Sequence, residues 1–245
     1  MKINLSKTSK ELGQEAAKLT AKYLKEAIKK NGSARLLLST GASQLDTIEA
    51  LIAMEIDWSK VEMFHLDEYI DLPVTHPASF QKYLKERFVD VVRPKAAHYV
   101  LGEGNIEENI KSLTKEVRKA PIDIGLIGIG QNAHIAFNDP PADFDTKESF
   151  LVLHLDERCK MQQVDEGWFK TIEDVPKKAV TMSVHQIMQC EAIISPVPHK
   201  EKAEAVRNTL HHEVTNQIPA TMLKKHKDYN LFIDENSASL LNIKF

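Results

Sequence analysis

The chain has 245 residues, a formal net charge of −3 and two cysteines. Such a charge offers no basic field for a nucleic-acid duplex, so any anion has to be held by a local constellation. Cys159 and Cys190 show neither metal-ligand spacing nor a disulfide framework, the pattern of two reduced thiols in a cytoplasmic protein.

Met1 to Lys30 is interrupted by Lys, Glu and Gln every few positions and lacks the apolar run of a signal peptide; no later stretch is apolar enough to span a membrane. From about Lys7 to Lys30, Leu12, Ala16, Leu19, Tyr23 and Ala27 recur at helical spacing, and Asn31-Gly32 ends the helix. Arg35 to Ser39 reads as a buried strand, followed by the turn Thr40-Gly-Ala-Ser43 and a helix over roughly Leu45 to Met54. A strand at Val61–His65 is followed by helices at Ser79–Phe88 and Asn105–Lys119. Further strands are predicted at Ile122–Gly128, Phe150–Leu155, Val180–Ser183, Ala192–Val197 and Asn230–Ile233, with helices around Lys200–Leu210 and Ala220–His226. This alternation predicts an α/β fold in one domain spanning 1–245, with a mostly parallel sheet covered on both faces. No linker, low-complexity tract or repeat interrupts it.

In such a sheet ligands bind beyond the carboxyl ends of the strands. Three polar clusters fall there: Ser39–Ser43, Asp67–Tyr69 and Gly128–Asp139. The hydroxyls and free N–H groups of Thr40, Gly41, Ala42 and Ser43 could hold an anion, or simply cap the next helix. Without the lysine of a P-loop the turn does not favour a nucleoside triphosphate. Asp67-Glu68 offers either a general base at a strand end or two surface charges. Gly128-x-Gly130-x-x-Ala133 matches a relaxed dinucleotide fingerprint, but Pro140-Pro141 arrives too soon for a full crossover helix. His134 is the better lead for acid–base chemistry, with Asn132 two residues before it and Asp139 five after. On a continuous helix Asp139 would point about 140° away from His134, so cooperation between them requires the chain to bend. Arg158 and Lys202 offer cations for an anion or solvated charge on helix faces. His211-His212-Glu213 lacks the geometry and the third partner of a metal site.

Taken together, Leu38-Ser-Thr-Gly41, Phe64-His-Leu-Asp-Glu-Tyr69 with Leu72-Pro73, Gly128 to Pro140, Lys202-Ala-Glu-Ala205 and Pro219-Ala-Thr-Met-Leu223 resemble the glucosamine-6-phosphate deaminase/isomerase family. The related 6-phosphogluconolactonases share the glycine turn, but His134-Ile-Ala-Phe-Asn138 favours the deaminase side. The resemblance implies a Rossmann-like three-layer α/β/α fold and a metal-free, cofactor-free isomerisation coupled to ammonia release from a phosphosugar. By the same resemblance Asp67 takes the C2 proton, His134 moves the proton in ring opening, and Asn132 and Asp139 orient that histidine. Thr40, Gly41, Ala42 and Ser43, with Arg158 and Lys202, hold the 6-phosphate.

The chain departs from the family pattern in several places. Asn132 stands where some relatives have Asp, Asp139 where Glu is usual, and Ala133 where Gly is usual. Val197-Pro-His199 replaces a glycine-containing turn, which leaves Lys200 competing with Lys202 as the phosphate lysine. The basic residues of allosteric relatives are not apparent around Lys147–Leu151. Residues 159–176, with Trp168-Phe169, read either as a lid over the sugar or as a surface helix pinned by Trp168. Relatives occur as monomers and as larger homo-oligomers, so oligomeric state stays open. The competing functions are a lactone hydrolase, a catalytically silent phosphosugar sensor and, more remotely, a dinucleotide oxidoreductase.

Overall fold

The computed structural model describes residues 1–241. Ten strands follow in order: β1 (Lys2–Ser6), β2 (Ala34–Leu38), β3 (Val61–His65), β4 (Asp67–Tyr69), β5 (Ala96–His98), β6 (Ile124–Leu126), β7 (Phe150–His154), β8 (Lys178–Met182), β9 (Ala192–Val197) and β10 (Tyr229–Asp234). The helices are α1 (Ser9–Asn31), α2 (Leu45–Ile52), α3 (Phe80–Leu84), α4 (Asp90–Val92), α5 (Ile106–Val117), α6 (Glu157–Asp165), α7 (Val184–Ile187) and α8 (Ala203–His211). The predicted helix at Ala220–His226 is a 3₁₀ segment, Pro219–Lys225.

The first helix shows how local chemistry sets an element. Thr8 accepts the Glu11 N–H at its start, and Gly32, in the left-handed region at φ 77°, donates back to the Ile28 carbonyl at its end. Between these caps Leu12, Ala16, Ala17 and Leu24 form the buried stripe. In β2 all five residues are buried, because the strand is covered on both sides. Alternation divides them: Leu37 joins the core that includes Val117 and Val206, whereas Leu36 and Leu38 join the core beneath α1 and α2. Each such leucine stabilises the fold by about 1.5–3 kcal/mol.

Seven strands form one parallel sheet in the order β1-β10-β9-β6-β2-β3-β5. From β2 the chain builds toward β3 and β5; from β6 it builds the other way. The order therefore reverses between β2 and β6, where a doubly wound sheet opens its crevice. The sequence reading missed both edge strands, β1 and β5. The expected single sheet is two, because β4, β8 and β7 form a separate antiparallel one. This small sheet sits beyond the end of β3, joined to it through Leu66, whose carbonyl accepts the Met182 N–H at 2.9 Å.

Candidate active site

At the switch point the two chain segments leaving β2 and β6 are tied together. Ser39 Oγ accepts the Gly128 N–H at 3.2 Å. Gly41 then adopts φ 99°, ψ 171°, a conformation that only glycine holds without strain, and turns the chain into Ala42–Gln44 and α2. Gln44 is buried and pins this turn to the neighbouring strand through the Pro196 carbonyl at 3.2 Å. Thr40, Gly41, Ala42 and Ser43 thus form one wall of a cleft enclosing about 550 Å3 of non-protein space, open water included.

The same cleft is lined by Asp67, Gly130, His134 and Lys202. Asp67 and Glu68 begin β4, and alternation sends their carboxylates to opposite sides. Glu68 turns inward, accepting from Ser79 Oγ at 2.8 Å and from the Gln81 N–H at 2.7 Å at the start of α3. That makes Glu68 a structural cap. Asp67 faces the cleft, only 5% exposed. Burial and the adjacent Glu68 charge push its carboxyl well above the usual range of 3.8, and no donor among the described residues offsets them.

His134 sits in a loop that bends sharply. Ala133 and Ala136 both have positive φ, at 65° and 52°, and Ile135 pairs back onto Asn138. Asn138 ties the loop to the small sheet by donating to the Met182 carbonyl at 2.9 Å, and the Phe137 N–H donates to Thr181 Oγ1 at 3.0 Å. The bend brings Asp139 Oδ1 to 3.0 Å from His134 Nδ1, a contact that lies off the N–H axis. Asn132 supports both partners: its Oδ1 accepts the His134 backbone N–H at 3.0 Å and its Nδ2 donates to Asp139 Oδ1 at 3.1 Å. Burial raises the Asp139 carboxyl, but the close His134 ring, helped by the Asn132 amide, outweighs it and holds it below the ordinary value.

Lys202 ends a 3₁₀ turn after β9 and is 6% exposed, whereas Lys200 is exposed. Burial lowers the Lys202 ammonium against the pull of Glu166 and Glu201, so an incoming anion would relieve a dry cation. Before this turn His199 stands at φ 80°, ψ 150°, a region reserved for glycine, with its N–H on both oxygens of Asp234 at 3.2 Å. His199→Gly is therefore expected to stabilise the fold by about 1 kcal/mol net, seen as a rise of about 2–4 °C in thermal midpoint. An unchanged or lower midpoint would show that the imidazole contributes more than the strain removes.

Arg158 is not in the cleft. In α6 the residues facing inward are Cys159, Gln162 and Gln163, so Arg158 turns outward and is exposed. It lines a separate depression beside Asn132, Glu204 and Asn208. The cleft receives Gln162, Gln163 and Glu166 from α6 instead, three residues that sequence reading had left inside the lid segment. They are fastened in place. Gln163 accepts from Tyr69 OH at 2.7 Å, Gln162 accepts the Gln131 N–H at 3.0 Å, and Glu166 takes bonds from Gln162 at 2.7 Å and Trp168 Nε1 at 3.1 Å. Their i, i+1, i+4 spacing was the available signal. The segment after α6 is also anchored, with Phe169 buried edge-on to Tyr69 at 5.6 Å and stacked on His76 at 5.4 Å.

Residues 7–232 match the model of the family described as glucosamine-6-phosphate isomerases/6-phosphogluconolactonase. The chain belongs to this family. A family member named glucosamine-6-phosphate deaminase, from Thermoanaerobacter sp. (strain X514), is 35% identical over 236 residues, covering 93% of this chain and 92% of that protein. Glucosamine-6-phosphate deaminase 1 of Bacillus subtilis (strain 168) is 32% identical over 252 residues, covering 98% and 99%. Among solved family structures, a monomeric glucosamine-6-phosphate deaminase superposes with a TM-score of 0.89 at 31% identity, over 98% of this chain and all of that one. The 6-phosphogluconolactonase of Trypanosoma brucei shares the fold, with a TM-score of 0.80 at 16% identity over 98% of both chains. As for the membrane, no helix among the described residues is long and apolar enough to cross one.

Proposed function

We propose that this chain is a glucosamine-6-phosphate deaminase, converting glucosamine-6-phosphate and water to fructose-6-phosphate and ammonia. The observation that carries the reading is the convergence of Asp67, His134, the Thr40–Ser43 loop and Lys202 on one cleft at the sheet's switch point.

In this reading the non-reacting phosphate rests on the N–H groups and hydroxyls of Thr40–Ser43 and on the Lys202 ammonium. Its binding energy holds the sugar so that C1 and C2 lie between His134 and Asp67. His134 accepts the O1 proton and returns one to the ring oxygen, a task suited to imidazole near neutral pH. Asp139 steadies the imidazole, with Asn132 fixing the loop. Asp67, ionised, takes the C2 proton from the open chain; the electron pair shifts to make an enolamine, and protonation at C1 leaves a C2 imine. Water hydrolyses that imine, giving the ketone and releasing ammonia.

Glu166 matters to this assignment because it places a negative charge beside the cleft's one buried lysine among the described residues. With Arg158 pointing away, Lys202 is the principal cation for the phosphate. Lys202→Met should raise the KM for the phosphosugar by about 10–100-fold, the worth of a hydrogen-bonded charge, and lower kcat far less. A KM within about twofold of wild type would place the phosphate elsewhere.

The deciding assay measures ammonia and ketose-6-phosphate released from glucosamine-6-phosphate, with the galactosamine epimer and 6-phosphogluconolactone run in parallel. Stoichiometric ammonia and ketose from an amino sugar support the reading. Turnover of the lactone alone would make the chain a hydrolase of the other family branch, and saturable binding without product would make it a sensor.

A further inference from the structure

One oxygen of the histidine's carboxylate partner is unaccounted for. Asp139 uses Oδ1 toward both His134 and Asn132. The Asp156 N–H also approaches this carboxylate from the turn before α6, yet Oδ2 is buried and no N–H or O–H donor among the described residues is aligned on it. A buried carboxylate oxygen left this way costs free energy, and a further donor on that side would hold the group against rotation about its Cβ–Cγ bond. Across the gap stands Cys159, on the inward face of α6 and 1% exposed. Its Sγ, a ring nitrogen of His134 and a carboxylate oxygen of Asp139 all lie within 4.8 Å of one another.

We propose that Cys159 is a positioning residue of the ring-opening relay: its S–H serves the free Oδ2 of Asp139 and keeps Oδ1 turned toward His134. This inference rests on the reading of His134 as the ring-opening group. Burial and the surrounding carboxylates of Asp139, Asp156 and Asp67 push the thiol far up its scale, so it remains a proton donor and does not become a nucleophile. A thiol is also a weak donor. It can steady the carboxylate while leaving more of the negative charge to face the imidazole than an ammonium would. The other thiol, Cys190, is buried against Gly125 of β6 and is not among the groups gathered around Asp139.

Two measurements test the proposal, one of them independent of turnover. In infrared difference spectra, subtracting Cys159→Ala from wild type isolates the Cys159 S–H stretch, with the Cys190 band as internal reference. Asp139→Asn should shift that band toward the position of a free thiol; a band that does not move overturns the proposal. In steady-state kinetics Cys159→Ala should lower kcat about tenfold, as the loss of one hydrogen bond to a charged group would, with KM within about twofold. Cys159→Ser should restore kcat to within about threefold of wild type, because it keeps a donor at the same place. In an Asp139→Asn background the alanine substitution should have no further effect. Equal losses in both backgrounds would mark Cys159 as packing alone and overturn the proposal. A wild-type protein that releases no product from any phosphosugar would instead sink the functional reading, and the infrared band would still decide whether the thiol serves Asp139.

Discussion

Asp67→Asn is expected to abolish measurable deamination and, in the same molecule, to stabilise the fold. A positioned general base contributes about 10²–10⁴-fold, and the amide cannot accept the C2 proton at all. The stabilisation follows from the carboxyl's position. Its folded-state value lies above 3.8 because burial and Glu68 disfavour the charge. The folded protein therefore holds this proton more tightly than the unfolded chain does, and stability falls as pH rises from 3.8 through the folded-state value. Asparagine carries no such penalty. The thermal midpoint of the variant should match wild type in acid, exceed it increasingly as pH rises from 3.8 toward the folded-state value, and level off above that, by about 2–4 °C for each kcal/mol. The same shift places the acid limb of wild-type kcat/KM above the range of an ordinary aspartate. A variant that retains turnover, or a midpoint difference that is flat with pH, would remove Asp67 from the role of buried base. The expected outcome is a stability–activity trade-off centred on one side chain.

Gly130→Ala is expected to disable the histidine without unfolding the protein. A Cβ built on Gly130 would fall 2.2 Å from His134 Nε2 and 2.3 Å from Cε1, closer than any real contact, so the ring has to leave its place. The backbone has less reason to move: the Gly130 N–H donates to the His134 carbonyl at 2.9 Å, and the Ala133 N–H to the Gly130 carbonyl at 3.0 Å. A displacement near 1 Å at a reacting group is enough to lower kcat by about 10²-fold. Circular dichroism should stay native. Activity close to wild type would show that the imidazole works from a second rotamer, and the off-axis Nδ1–Asp139 contact would then not be the working geometry.

Much of this arrangement was legible from local chemistry. The apolar runs at Ala34–Leu38, Val61–His65 and Ala192–Val197 announce buried parallel strands, because a strand covered on both faces needs no polar alternation. Edge strands lack that signal: Lys2–Ser6 and Ala96–His98 are only partly covered, and β5 is three residues long. The pairing of β4 with β8 joins residues more than a hundred positions apart, and nothing in Asp67-Glu68-Tyr69 itself reveals it. The loop, the aspartate and the histidine could be placed in one crevice because each follows a strand, whereas Lys202 came to it only through the family resemblance. Arg158 could not be placed correctly without the rotation of α6, which is set by the burial of Cys159 and Gln163 one and five positions on. The same unknown rotation hid Gln162 and Glu166.

The small antiparallel sheet has a mechanical consequence. β8 holds Asp67 through its pairing with β4, and it also fastens the histidine loop through Thr181 and the Met182 carbonyl. Base and imidazole therefore share a single strut. The Thr40–Ser43 loop and Lys202 stand instead after β2 and β9, in the seven-stranded sheet. The cleft is thus built across two sheets, the small one carrying the base and bracing the histidine, the large one carrying the loop and the lysine.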